Sequence, residues 1–322
     1  MANTSSKIKI IVQMLGPVVF IYILFQINFG LFFSQIKTIK WPFLVLGAGF
    51  VALDIVLKSF RWQTVLAALD IIVSKTYSIS LYWLGLLIGL ITPGKLGELI
   101  KIYFLKNKGY SIFRSFLSII IDRISDIFIL LGMGCLIFLF FLNEIGIYIS
   151  FFGLILILVI VFVFLLINEK SWVHKIFGRF VKKVLPIDFN DYNRFTFKKL
   201  REGIRNLENK KILYFFVYLA ASWIIYFSAR YAVSLSLGLG LSFVRVAIIC
   251  SLMAIVSILP ISVAGLGTRE VSVIYLFGLF GLDKETAVLF SLLVFMCDTF
   301  VISFGLIPYL KESALIKETK NG

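Results

Sequence analysis

Thr92-Pro93-Gly94-Lys95-Leu96-Gly97-Glu98 ends one long hydrophobic run, and about 170 residues further on Pro260-Ile261-Ser262-Val263-Ala264-Gly265-Leu266-Gly267-Thr268-Arg269-Glu270 ends another. Each puts a proline, glycines, a cation and a glutamate beside strongly apolar sequence. Proline and glycine leave backbone N–H and C=O groups without helical partners. In hydrocarbon such groups survive only where protein or a wet cavity satisfies them. Ionisable side chains are costly there too, so both stretches mark either a functional site or a demanding packing arrangement.

The sequence around them is that of a membrane protein. Of 322 residues, 60% are hydrophobic and 15% charged, and the mean hydropathy is +1.01. Soluble domains are about 45–50% apolar, and several runs here reach the roughly 20 residues that cross a bilayer. A polytopic integral membrane protein follows. The 32 Lys+Arg against 17 Asp+Glu leave a net charge of +15. Because the basic residues gather in loops, we attribute the excess to the positive-inside rule and anionic lipid headgroups, not to nucleic acid. Cys135, Cys250 and Cys297 sit inside apolar runs without metal-ligand spacing, and the single histidine, His174, lies in a basic loop. No metal, no other cofactor and no His-based catalytic centre is expected.

Hydrophobic runs predict a first helix over about 10–33, too long for a signal-peptide core and so retained, and a second over about 43–67. Asp54, Lys58 and Arg61 share one face of that second helix at i, i+4, i+7 and are expected at a solvated helix end. Two short apolar segments, about 79–91 and 96–105, joined at Thr92-Pro93-Gly94, read as a re-entrant hairpin. Helices follow at about 113–142 and 147–167, then a polar region at 168–211, then helices at about 212–236 and 243–259. After the break at Pro260 a short segment runs from Thr268 to Phe280, and a last helix covers about 286–310.

Loop charges orient this layout. Lys7 and Lys9 precede the first helix; Lys75, Lys101, Lys106, Lys108 and Arg114, the polar region, and Lys311, Lys317 and Lys320 then all fall on the same, cytoplasmic side. The first hairpin thus enters from the cytoplasm and the second from outside, the pattern of an inverted-repeat transporter. A shared spacing supports the repeat: Glu98 and Asp126 are 28 residues apart, as are Glu270 and Asp298. The expected fold is an all-α polytopic helical bundle with two re-entrant helical hairpins in an inverted-repeat arrangement. It forms one membrane domain over 1–322, with halves at about 1–167 and 212–322 joined by the linker 168–211.

Helix N-termini beginning near Leu96 and Thr268 would point positive dipole ends into the membrane, and Lys95 and Arg269 add full charges there. An anionic group such as a lipid phosphate is the natural ligand. Glu98, Glu270, Asp122, Asp126 and Asp298 would neutralise the cations without ligand, or bind a cationic headgroup or proton. Asp122, Arg123 and Asp126 can also satisfy one another on a single helix, leaving a structural role open. The candidate substrate-binding set is therefore Pro93, Gly94, Lys95, Gly97, Glu98, Asp122, Arg123, Asp126, Gly265, Gly267, Thr268, Arg269, Glu270 and Asp298. In the polar region Trp172, Ile176, Phe180 and Val184 recur every four residues among Lys175, Arg179, Lys182 and Lys183, as in a basic amphipathic helix lying among headgroups.

At these residues the chain resembles the transmembrane, flippase-like domain of lysylphosphatidylglycerol synthases and its stand-alone relatives. The likeness rests on Arg61-Trp62, Thr92-Pro93-Gly94-Lys95-Leu96-Gly97-Glu98, Asp122-Arg123 with Asp126, and Ala264-Gly265-Leu266-Gly267-Thr268-Arg269-Glu270. The resemblance implies a bundle with two re-entrant segments that moves a lipid between leaflets. In full-length synthases a soluble domain using aminoacyl-tRNA follows. Here the sequence ends soon after its last apolar run, so synthase activity is expected to be absent. Typical members carry Glu-Arg where Asp122-Arg123 stands, a shorter acid of the same charge.

The leading expectation is a non-enzymatic translocase of an anionic or aminoacylated phospholipid, multi-pass in the cell membrane with cytoplasmic termini and no catalytic residues. Its partners would be membrane lipids with anionic headgroups, with a homo-oligomer or an envelope-biosynthesis partner as further options. Transport of a polyprenyl phosphate or glycolipid, an accessory role in cell-envelope glycosylation, and a membrane-embedded transferase are the alternatives. Against the transferase, only Asp122 and Asp126 approach the close spacing of a diphosphate–metal site.

Overall fold

A computed structural model of the chain describes residues 16–140, 209–258 and 265–307. The helix expected at 147–167, nearly all of the basic region, Pro260 and the charged termini lie outside these residues. The described chain is helical throughout and contains no strand. In order, the elements are α1 (Gly16–Gln26), α2 (Phe29–Lys37), α3 (Trp41–Ala68), α4 (Lys75–Ile91), a 3₁₀ helix (Pro93–Leu99), α5 (Ile100–Asn107), α6 (Ile112–Phe140), α7 (Asn209–Ser236), α8 (Phe243–Ile258), α9 (Thr268–Leu279) and α10 (Lys284–Ser303). Among them α3, α7 and α10 are long and apolar enough to cross a membrane, and α1 with α2 make a bent fourth candidate. The chain is an all-α polytopic membrane protein.

The first helix departs from expectation. The sequence predicts one helix over 10–33, whereas α1 and α2 meet at an angle of 90°. Asn28 is the cause. Its side chain accepts the Leu31 N–H at 3.2 Å, starting a new helix, and its own N–H donates to Glu285 Oε1 at 2.9 Å. A cap of this kind competes well with helix continuation.

Elsewhere the two halves repeat in their local structure. The last residues of helices α3 and α7, Ala68 and Ser236, are 168 apart. Both helices lead into a left-handed residue, Asp70 and Gly238, again 168 apart. In each the next N–H reaches back to close the turn, Ile71 to the Leu66 carbonyl and Leu239 to that of Ser234. Ser74 caps α4 by accepting the Tyr77 N–H, and Ser242 does the same for Arg245 at the start of α8. Past the two breaks the offset becomes 172. Lys95 and Gly267 both have positive φ, as do Gly109 and Gly281, and Glu98 aligns with Glu270. The expected internal repeat is thus written in caps and turns.

The described residues fall into two compact units. One gathers the chain up to Phe60, then Ser74–Ile100 and Tyr218 onward. In it Ile23 of α1 and Ile27 just after that helix pack on Val288 of α10, the Phe277 and Phe290 rings meet at a tilt of 41°, and the Trp83 indole donates to the Val301 carbonyl at 3.1 Å. The other comprises Arg61–Val73 and Lys101–Val217. There Trp62 is fully buried and donates to Ser118 at 3.1 Å, while Arg114 bonds Asp70 and the Leu69 carbonyl. Large apolar side chains such as Phe25, Val45 and Phe300 remain exposed, as a lipid-facing surface requires.

Candidate functional site

At the first break Pro93 opens the 3₁₀ helix, a position where its missing N–H costs nothing. The segment folds back along α4. A Cβ at Gly97 would collide with the Ile88 carbonyl, so only glycine permits this approach. The Thr92 hydroxyl accepts the Gly97 N–H at 2.7 Å and donates to the Ile88 carbonyl at 3.0 Å, satisfying backbone groups that the turn uncovers. Glu98 is buried against Gly89, whereas Lys95 is exposed and held at φ 57, a conformation non-glycine residues rarely adopt. Gly94 lies inside the 3₁₀ turn.

At the second break the chain turns through Gly265 and Gly267, both at positive φ. A Cβ at Gly267 would run into the Gly16 carbonyl, so α1 closes directly on this turn. Thr268 donates its hydroxyl to the Gly265 carbonyl at 3.1 Å. Glu270 reaches back one turn, accepting the Gly267 N–H on Oε2 at 2.6 Å, the carboxylate half of a capping box. Its Oε1 takes Arg269 Nη2 at 2.6 Å, Arg269 Nε at 3.0 Å and the Ser291 hydroxyl at 2.8 Å. Arg269 Nε also donates to Ser291, and its guanidinium lies 4.9 Å from the Phe295 ring centroid. Arg269 and Glu270 are thus neutralised in place, both nearly fully buried.

The remaining charges pair in ways that sequence spacing did not anticipate. Asp122 and Asp126 are bound chiefly by Arg61. Its Nε and Nη2 donate to Asp122 Oδ1 at 2.9 and 2.7 Å, and its Nη1 to Asp126 Oδ1 at 2.7 Å. Arg123 stands 3.7 Å from Asp126 with 30% of its side chain exposed. The expectation that Asp54, Lys58 and Arg61 lie at a solvated helix end is corrected: Asp54 is 5% exposed and Arg61 fully buried, because α3 packs at this level. Lys101, counted among the cytoplasmic charges, is likewise fully buried on α5, with Nζ 5.0 Å from the Trp62 ring centroid.

Asp298 is paired with Arg230 of α7 at 2.7 Å. Arg230 was absent from the sequence-derived set, although a lone cation inside an apolar run is itself a signal of a partnered intramembrane site. Trp223, Tyr226 and Ser291 were also missed; aromatic and hydroxyl residues are too common in such helices to stand out. The structure therefore brings together Arg269 with Glu270 and Asp122 with Asp126, and gives Asp298 to a third cation. Among the described residues no group of His, Cys, Asp and Glu is arranged to hold a metal ion.

The chain is similar to a UPF0104 membrane protein of Pyrococcus horikoshii, 27% identical over 78% of this chain and 81% of that one. No solved structure matches it. The family model for the lysylphosphatidylglycerol synthase TM region matches residues 10–305, and with nearly the whole sequence covered the chain belongs to that family.

Proposed function

We propose that the chain is a non-enzymatic lipid translocase of the cell membrane, with both termini in the cytoplasm. It moves an anionic or aminoacylated phospholipid, or a related amphiphile, between leaflets. The headgroup passes beside the two broken segments while the acyl tails stay in lipid. Lys95 and Arg269 contact the phosphate, with Glu98, Glu270 and Asp298 as exchangeable counter-charges.

The observation that carries this reading is the Arg269–Glu270 pair. A cation buried in a membrane helix is expensive and therefore a functional candidate. Here it is held through Oε1 of an acid whose Oε2 has a separate partner, the Gly267 N–H. A phosphate oxygen can take the place of Oε1 while Oε2 keeps the cap intact. Exchange then replaces one anionic acceptor by another.

The test is reconstitution in liposomes carrying a fluorescent anionic phospholipid in the inner leaflet. The protein should expose the label to a membrane-impermeant quencher faster than protein-free liposomes do. Arg269→Ala and Glu98→Ala should each slow exchange about tenfold or more, the size expected for a lost charge-assisted contact. Wild-type rates in both variants would remove these residues from the path, and an inert wild-type protein would remove translocation itself.

A further inference from the structure

Three helices long and apolar enough to cross a membrane, α3, α7 and α10, all contribute to one polar cluster. Asp54 and Lys58 come from α3, Trp223, Tyr226 and Arg230 from α7, and Asp298 from α10. Lys58 Nζ donates to Asp54 Oδ2 at 2.7 Å and lies 5.1 Å from the Tyr226 ring centroid and 5.7 Å from that of Trp223. The Arg230 guanidinium covers the same Tyr226 ring at 3.6 Å, donates from Nη2 to Asp298 at 2.7 Å, and reaches the Tyr226 carbonyl from Nη1 at 3.4 Å. Two cations are therefore pinned around one aromatic pair, each with one acid.

Two donors in this cluster have no acceptor among the described residues: Trp223 Nε1 and Arg230 Nε, both buried. An N–H without a partner in hydrocarbon is strongly disfavoured, so the arrangement calls for an acceptor beyond the described residues. Access exists, since Asp298 keeps 26% of its side chain exposed and Lys58 14%. The contrast with Arg61 is direct, for there Nε, Nη1 and Nη2 are all engaged by carboxylates.

We propose that Arg230, Trp223 and Lys58 form a binding site for a phosphate ester, open at one side. Arg230 Nε and Trp223 Nε1 donate to phosphate oxygens, and Lys58 supplies a second positive charge. A phosphate suits this set because it offers several acceptor oxygens and carries the charge that guanidinium and ammonium groups complement. Asp54 and Asp298 hold the cations in register when the site is empty. The inference rests on the translocation reading above only in taking the phosphate to be that of a lipid.

Isothermal titration on the purified full-length chain in detergent tests it, with dioctanoylphosphatidylglycerol as lipid probe, inorganic phosphate as headgroup probe and dioctanoylglycerol as the phosphate-free control. The lipid probe should bind and the control should not. Trp223→Phe, which keeps an aromatic ring and deletes the N–H, and Arg230→Lys, which keeps the charge and deletes Nε, should each weaken binding about tenfold. Should Arg230→Lys fail to fold, Trp223→Phe decides alone. Unchanged affinity in the folded variants, or equal binding of dioctanoylglycerol, overturns the site. Inorganic phosphate binding as tightly as the lipid supports the site and overturns the lipid as its source. Liposome exchange run in parallel separates the two ideas. Binding that depends on Trp223 without any exchange keeps the site and sinks translocation, whereas exchange by the wild-type protein with binding that neither variant weakens does the reverse.

Discussion

Arg61 and Arg230 play similar parts in the two halves although they stand one residue out of register with the repeat; each lies near the end of its helix and is bound to the acid that lies 28 residues beyond the glutamate of its break. Their surroundings differ. Arg61 is fully buried and spends its donors on two carboxylates, Asp122 and Asp126, while Trp62 beside it donates to Ser118. Among the described residues Arg230 has one carboxylate, a partly exposed one, and neither its Nε nor the nearby Trp223 N–H has an acceptor. One copy of the device is sealed and the other is open. Duplicated elements free one copy to hold the fold while its twin keeps the unsatisfied groups that a ligand needs.

The largest way to break this comparison is Arg61→Ala. Removing the cation that two buried acids share should cost about 3–5 kcal/mol, read as a lowered unfolding temperature in detergent. Arg230→Ala should cost clearly less, because Asp298 can turn its exposed edge to water or headgroups. Equal losses would mean that both pairs are structural.

Next in size is Gly267→Ala. The residue has φ 83 and its hydrogens face the Gly16 carbonyl, so a methyl group is penalised both by the backbone and by α1. A loss of about 2–4 kcal/mol is expected. Gly109→Ala shares the positive φ but meets nothing within 4 Å, so only the backbone penalty of about 1–2 kcal/mol remains. If the two cost the same, α1 does not close on the second break.

These residues also show what a sequence can and cannot disclose. The extent of α3 follows from apolar length, which hydrocarbon thickness enforces, and the first break follows from Pro93 and its glycines. The spacing from Glu98 to Asp126 and from Glu270 to Asp298 foretold a repeat that caps and turns then reproduced. Hidden from it were the partners. Arg61 meets its two acids across more than 60 residues, and Arg230 meets Asp298 across 68. Such pairings depend on how helices pack, and local spacing carries no trace of them. The bend at Asn28 was missed for a different reason, since one polar residue in an apolar run breaks a helix only when a partner, here Glu285, holds its backbone.

A smaller effect sharpens the comparison at the breaks. Lys95 stands where the second half has Gly267, and it pays for a left-handed backbone that glycine adopts freely. Lys95→Gly should therefore stabilise the protein by about 1 kcal/mol. If the lysine is retained for its charge, the same substitution should slow lipid exchange in liposomes. A variant both more stable and fully active would assign Lys95 no part in transport.

The smallest change in stability is expected where the repeat is completed by hand. Val294 precedes Asp298 by four residues, as Asp122 precedes Asp126, so it lies one turn away on the same face. It is buried at 2% exposure, and a carboxylate placed in such a position ordinarily costs several kcal/mol. Arg230, however, has an Nε donor in want of an acceptor, as Arg61 would have without Asp122. Val294→Asp should thus reproduce the sealed copy within the open one, changing stability by less than about 1 kcal/mol as the new acid finds the arginine. Dioctanoylphosphatidylglycerol binding should fall at the same time, because the donor offered to phosphate is now occupied. A large loss of stability would mean that the second half cannot accept the charge arrangement of the first, and that the likeness of the two arginines ends at their sequence positions.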